Sequence, residues 1–273
     1  MTLGHPFPMI NRSVIPLLLQ VSIVGLGFGI NLYEAATVGI EGFGLTVTTI
    51  AVTLGVGWLV GKWLNINKNI SLLISAGTAI CGGSAIAAIS PIIEAKDEEM
   101  TMALATVFVL NAIALIVFPL FGHALDLSQT QFGIWSAVAI HDTSSVVGAA
   151  QAYGHEALQI ATTVKLGRAL WIVPLALTIA YALKKNKTVK FPYFILLFVA
   201  AMTLSTFSSQ AHSMGTWVVP ISKKGMTLTL FLIGTGLSIS SIKKVGTKPL
   251  LLGVGLWLLI IVLSLTLIVN TSI

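Results

Sequence analysis

Apolar runs of about twenty residues, the length that crosses a ~30 Å hydrocarbon layer as a helix, recur along nearly the whole chain. The uninterrupted ones cover residues 14–32, 43–64, 100–121, 157–183, 191–207, 225–239 and 250–269. A soluble fold is excluded on a second ground. Only 9% of the 273 residues are charged, against about 25% in a soluble domain, so most of the surface must face lipid. The longest polar stretches, 184–190 and 208–224, leave no room for a separate soluble domain. The expected fold is all-α and polytopic, one transmembrane domain over residues 1–273, with about seven full spans and two interrupted helices.

The interruptions carry the most information. The apolar segment 70–93 is broken at Cys81, Gly82, Gly83 and Ser84, and the segment 132–153 at His141, Asp142, Thr143, Ser144 and Ser145. The two breaks align. Ala79-Ile80-Cys81-Gly82-Gly83-Ser84 matches Ala139-Ile140-His141-Asp142-Thr143-Ser144. The spans that follow match as well: Thr106-Val107, Asn111-Ala112-Ile113 and Pro119 against Thr163-Val164, Arg168-Ala169-Leu170 and Pro174. The repeat units are about 70–121 and 131–183, flanked by spans within 14–64 and 191–269. If the broken segments cross the membrane, the units run parallel. If they are re-entrant hairpins, one span separates the units and the repeat is inverted. The connection 122–131 has no Lys or Arg, which favours an outer loop and hence the hairpins.

Non-helical backbone at membrane depth is tolerated only where it is buried in protein or lines a cavity. Two polar breaks at corresponding repeat positions therefore point to a transporter site. A half-helix starts at each break, and its free N–H groups attract negative charge. Lys165 and Arg168 share a helix face three residues apart, about ten residues into an apolar span. A cation at that depth costs about 2.5–3.5 kcal/mol on insertion scales and needs a reason to be there. Two cations with two half-helix N-termini suit a small anion. Asp142, beside His141, has three open roles: a salt-bridge partner for Arg168, a proton-coupling carboxylate, or a Na⁺ ligand. Asn111 occupies the repeat position of Arg168, where it joins the site or makes an interhelical hydrogen bond.

Other chemistries find little support. No Gly-x-Ser-x-Gly elbow surrounds His141 and Asp142, so an enzyme is not expected. Gly82-Gly83 is not followed by Lys-Ser or Lys-Thr, so ATP drive is not expected. Cys81 with scattered histidines lacks metal-site spacing, and no metal or cofactor is expected. The net charge of +6 follows lysine clusters between apolar runs, a topology signal rather than a nucleic-acid patch. Lys62 with Lys68, the run Lys184, Lys185, Lys187 and Lys190, and Lys243, Lys244 and Lys248 mark cytoplasmic loops. The connection 34–41 falls outside, the N-terminus inside and the C-terminus outside. Lys223 and Lys224, on a connection placed outside, run against this rule. Gly25 with Gly27 and Gly234 with Gly236 read as close helix packing. An anion channel, a membrane-bound receptor and an organic-anion transporter coupled to Na⁺ or H⁺ remain alternatives, and the oligomeric state, a homo-oligomer included, stays open.

Four stretches resemble the YeiH-type family of bacterial inner-membrane proteins, whose name refers to sulfate export. They are Ile80-Cys81-Gly82 through Pro91 and on to Pro119; His141-Asp142 through Val147, where the family commonly has His-Glu; Lys165-Leu166-Gly167-Arg168 through Pro174; and Gly234 to Leu237 followed by Lys243-Lys244-Val245-Gly246 and Lys248-Pro249-Leu250-Leu251. The resemblance implies export of sulfate, sulfite or a related anion across a bacterial plasma membrane. Members of that family begin with further apolar segments. Met1-Thr2-Leu3-Gly4-His5-Pro6 resembles the tail of the last of these, a Leu/Gly-rich helix expected to be the repeat partner of 191–207.

Overall fold

The structure, a computed structural model, describes residues 8–41, 43–183, 193–236 and 246–270. Every regular element among them is a helix: α1 Pro8–Gly27, α2 Leu32–Glu41, α3 Phe43–Trp63, α4 Lys68–Ala79, α5 Gly83–Ile89, α6 Asp97–Ala124, α7 Gln129–Ala139, α8 Thr143–Tyr153, α9 His155–Leu170, α10 Ile172–Ala182, α11 Tyr193–Phe207, α12 Ser209–Gly236 and α13 Thr247–Asn270. Four stretches are long and apolar enough to cross a membrane: α3, α6, α9 with α10, and α13. Lys184, Lys185, Lys187, Lys190, Lys243 and Lys244, with Met1–Pro6, lie outside the described residues.

The chain divides into two compact units, one of Met1–Ile40 with Pro192–Ile239, the other of Glu41–Phe191 with Ser240–Ile273. All four long apolar stretches belong to the second.

In the second unit both interrupted segments are hairpins. The evidence lies at their bases. Tyr153, at the end of α8, donates from its hydroxyl to the Leu127 carbonyl, just before α7 begins (2.5 Å). Gln129 Oε1, in the first turn of α7, accepts from the backbone N–H of Glu156 (3.0 Å) and of Ala157 (3.3 Å). Thr130 donates to the Glu156 carboxylate (2.7 Å). Tyr153 also stacks on Phe132, ring centroids 3.8 Å apart. The start of α7 and the end of α8 are thus neighbours, whereas two collinear half-helices of 11 residues each would hold them about 30 Å apart at 1.5 Å per residue. The first hairpin closes in the same way. Asn69 Nδ2 at the start of α4 donates to Glu99 Oε2 in the first turn of α6, right after α5 (2.9 Å).

Local signals set these ends. Asn67 caps α4 through Asn69 N (2.8 Å). Ser128 and Gln131 form a reciprocal capping box on α7, which satisfies two of the N–H groups that every helix start leaves bare. Asn65, Glu94 and Asp126 take positive φ values of 52°, 53° and 49°. Each turns the chain so that the next N–H bonds five residues back, Ile66 to Gly61, Ala95 to Ser90 and Leu127 to Gly122. This is the left-handed close of a helix end.

α6, 28 residues and about 42 Å long, separates the hairpins. One base sits at its start and the other at its end. α13 runs beside both. Leu252 and Leu256 pack into the cluster of Ile70, Leu73, Ile74, Ile86 and Val107, and Trp135 of α7 reaches the Ile261 carbonyl (3.3 Å).

The first unit adds one helix and corrects one expectation. The connection 34–41, expected only to lie outside, is helical: Asn31 Oδ1 caps α2 by accepting from Tyr33 N (2.8 Å), and Ala35 and Ala36 favour the helix. The polar stretch 208–224 is not a loop. It is the first half of the continuous helix α12, so Lys223 and Lys224 lie within a helix. The reading of Gly25 and Gly27 as packing residues holds. A methyl added at Gly25 would run into Ser222, and one at Gly27 would lie 2.8 Å from the Phe198 carbonyl oxygen.

Candidate functional site

The two hairpin tips meet. Gly82 takes φ 60° and ψ −123°, a conformation open to glycine and costly for other residues. A Cβ there would stand 3.3 Å from the carbonyl carbon and oxygen of His141. The absence of a side chain thus lets one break lie against the backbone of the other.

The cations sit beneath this junction. Lys165 and Arg168 are 0% and 1% exposed, so neither snorkels to a polar surface. Lys165 Nζ donates to three carbonyls: Ile80 O at the end of α4 (3.0 Å), and Ala137 O (3.2 Å) and Ile140 O (2.7 Å) at the end of α7. One ammonium has three donors, and all three are used. The ends of α4 and α7 each carry roughly half a negative charge, so Lys165 is a shared counter-charge for two helix C-termini. Arg168 donates through Nη1 to Thr49 Oγ1 (2.9 Å) and through Nη2 to the Ala79 carbonyl. The geometry sharpens the sequence-based reading. The cations stand at the C-terminal ends of the first half-helices, while the N-terminal ends belong to α5 and α8.

Asp142 does not bond to Arg168. Its carboxylate caps α8, accepting from the N–H of Ser144 (3.1 Å) and from the Ser144 hydroxyl. It is half-buried, whereas His141, Thr143, Ser144 and Ser145 are buried. Cys81 and Gly82 are buried too; Gly83 is half-buried and Ser84 exposed. Of the eleven candidate residues, only Ser84 stands clear of the protein interior.

Three participants escaped the sequence reading, and a fourth was left open. Thr49 belongs to a buried Thr46/Thr49/Thr53 face at helical spacing, a signal that was legible in the sequence. Trp257 donates from Nε1 to the Ala139 carbonyl (3.1 Å). Thr78 lies in the last turn of α4, with its hydroxyl buried. Asn111, in the middle of α6, accepts through Oδ1 from the N–H groups of His141 (3.1 Å) and Asp142 (3.3 Å).

Five buried side-chain atoms among the described residues have no hydrogen-bond partner: Thr78 Oγ1, Asn111 Nδ2, His141 Nδ1 and Nε2, and Arg168 Nε. Their residues all lie in the breaks, in the half-helix turn next to one, or on the side chains that bond to the tip backbone. An unsatisfied buried group costs about 1–3 kcal/mol, and all five of these atoms gather around this junction. Arg168 Nε and Asn111 Nδ2 can only donate, and Thr78 and one nitrogen of His141 can donate as well. The Asn111 orientation is set by the two backbone N–H groups on its oxygen, which leaves its amide nitrogen free. No cluster of metal-binding side chains occurs among the described residues.

These features define a helical membrane protein whose two broken hairpins join at a buried, cationic, donor-rich junction. The family described as conserved hypothetical protein 698 matches residues 11–253. Over 263 residues the chain is 51% identical to a UPF0324 membrane protein of Bacteroides thetaiotaomicron, covering 95% of this chain and 80% of that one. It is 53% identical over 260 residues to a UPF0324 membrane protein of Porphyromonas gingivalis, with 93% and 79% covered. It is 52% identical over 255 residues to UPF0324 membrane protein VP0936 of Vibrio parahaemolyticus, with 91% and 82% covered. The chain belongs to this YeiH-like family of bacterial membrane proteins. No solved structure matches it.

Proposed function

We propose that this protein is a secondary transporter of a small inorganic anion, bound at the junction of the two hairpin tips. The observation that carries this reading is the set of unpartnered donors there. Arg168 Nε, Asn111 Nδ2, Thr78 and His141 require acceptors, and an oxyanion offers acceptors only. Two cations against one carboxylate leave excess positive charge. A cation substrate would need free acceptors instead, and the carbonyls of Ala79, Ile80, Ala139 and Ile140 already take hydrogen bonds from Arg168, Lys165 and Trp257. Sulfate or a related sulfur oxyanion is the first substrate to test, in the direction of export.

In this reading α4–α5 and α7–α8 are re-entrant and enter from opposite faces, forming the inverted repeat of a single transmembrane domain with about seven full spans. Lys62, Lys68 and Lys248 lie on the cytoplasmic side of a bacterial plasma membrane, with the C-terminus outside. Asp142, half-buried at the edge of the junction, competes with the anion by charge or carries a coupling proton.

The test is flux of radiolabelled sulfate and sulfite in proteoliposomes under an imposed gradient. Arg168→Ala removes a donor-only group and is expected to abolish flux while the wild type saturates with substrate. Wild-type rates in Arg168→Ala would remove the site. Single-channel currents in planar bilayers would replace the transporter with a channel.

A further inference from the structure

A groove distinct from the junction lies at the base of the first hairpin. It has a volume of about 480 Å³ and runs between α3 and α4, lined by Leu54, Trp58, Gly61, Lys62, Asn65, Ile66, Lys68, Ser71, Leu72 and Ser75. Its two ends differ in chemistry. Lys62, Asn65 and Lys68 stand at the mouth, and no lining residue is acidic. The nearest carboxylate bonded to α4, that of Glu99, is held by Asn69 Nδ2 and by the Lys96 N–H, each at 2.9 Å. From the mouth the groove extends two turns along α3, past Trp58 to Leu54, with Leu72 facing it from α4.

Close helix packing shapes the floor. Ser71 donates to the Gly57 carbonyl (3.0 Å) and Ser75 to the Ser71 carbonyl (2.7 Å). Small residues at Gly57 and Gly61 thus keep α3 and α4 near each other and their hydroxyls satisfied. The left-handed turn at Asn65, φ 52°, carries the chain from Lys62 on one wall to Lys68 on the other. The Lys62 ammonium lies 5.7 Å from the centre of the Trp58 ring, within reach of a cation–π contact. Trp58 and Trp63 are 65% and 79% exposed. Tryptophans exposed in this way gather at the headgroup level of a bilayer.

We propose that this groove binds one anionic glycerophospholipid, its phosphate between Lys62 and Lys68 and an acyl chain along Trp58, Leu54 and Leu72. Charge complementarity selects the headgroup. The apolar depth behind the lysines selects a lipid over a free anion, which would use only the mouth. Basic pockets between membrane helices on the cytoplasmic side hold anionic headgroups by this chemistry. The site is independent of the junction and of the transport reading.

The test is native mass spectrometry of the full chain, delipidated in detergent and titrated with phosphatidylglycerol, phosphatidylcholine or inorganic phosphate. One phosphatidylglycerol should bind in clear preference to phosphatidylcholine, and inorganic phosphate should not displace it. Lys62→Gln with Lys68→Gln should weaken that binding on the order of thirtyfold, and the Lys→Arg pair should retain it. Leu72→Trp fills the groove, keeps both lysines and should also lose the lipid, so the proposal stays testable if the glutamine pair does not fold. Equal binding of both lipids, displacement by inorganic phosphate, or full binding in Leu72→Trp would overturn it.

Discussion

At the first tip, Gly82 turns the chain without a side chain, and α5 begins with no side-chain cap. At the second, the aligned position is Asp142, whose carboxylate caps α8. The two tips share a plan nonetheless. The aligned carbonyls Ile80 O and Ile140 O both bind Lys165, and the aligned pair Ala79 O and Ala139 O bind Arg168 and Trp257. The braces cross over between repeats. Arg168, from the span after the second break, holds the first tip, while Asn111, at the aligned position of the span after the first break, holds the second. The two aligned segments therefore share a backbone break and differ in their side chains. One tip is neutral and close-fitting, and the other charged and self-capped. This asymmetry gives the junction a carboxylate on one side only.

The shared brace should give the largest effect. Lys165→Met keeps the side-chain length but leaves three carbonyls without their cation. Removing one partner of a buried charged set costs about 3–5 kcal/mol. The folded fraction in detergent should collapse, as read by thermal size-exclusion chromatography. Trp257→Phe strips a single bond from the second tip and should cost only about 1–3 kcal/mol. Equal losses in the two variants would mean that the tips are not held by a common ammonium. Asn111→Leu comes next, because it orphans the N–H groups of both His141 and Asp142 at about 1–3 kcal/mol each.

Much of this was legible in the sequence, and for physical reasons. Breaks in lipid must be polar or glycine-rich, so both tips stood out, and the residues around them align. Lys165 and Arg168 stood out because a buried cation needs a partner. Their partners did not, since a backbone carbonyl such as Ile80 O has no sequence signature. The helical start of α12 was hidden because polar residues such as Ser209, Gln210 and Ser213 suit a helix and a loop alike once tertiary packing decides. The hairpin geometry was legible only as a charge bias in 122–131. It rests on base contacts such as Tyr153 with Leu127, which join residues with 25 others between them.

Smaller effects separate the tips themselves. Gly82→Ala forces an L-residue to φ 60° and ψ −123°, outside the left-handed helical well, at about 1–3 kcal/mol, and presses a methyl on the His141 carbonyl. Asp142→Ala removes a cap worth about 1 kcal/mol. Asp142→Asn should restore most of that stability, since asparagine caps equally well, while sulfate flux in proteoliposomes changes because the charge is gone. An Asp142→Asn protein with both stability and flux unaltered would reduce Asp142 to a cap and remove the functional half of the contrast.

The remaining effects belong at the hairpin bases, away from the tips. Asn69 makes one side-chain bond to Glu99, and Gln129 accepts two backbone N–H groups at the start of α9. Gln129→Ala should cost about 0.5–1.5 kcal/mol per bond removed, and Asn69→Ala, whose one bond is to a carboxylate, about 1.5–3 kcal/mol before solvent screening. The sensitive readout is amide hydrogen exchange. Glu156 and Ala157 should exchange faster in Gln129→Ala, while exchange around the tips stays slow and flux stays near that of the wild type. The argument turns on distance. α7, at 11 residues, puts about 16 Å between base and tip, and the tip has its own braces in Lys165, Trp257 and Asn111. If loosening a base reduces flux as far as Arg168→Ala does, the tips are positioned from the membrane surface rather than by the cations beneath them, and the comparison between them would have to be redrawn from the bases.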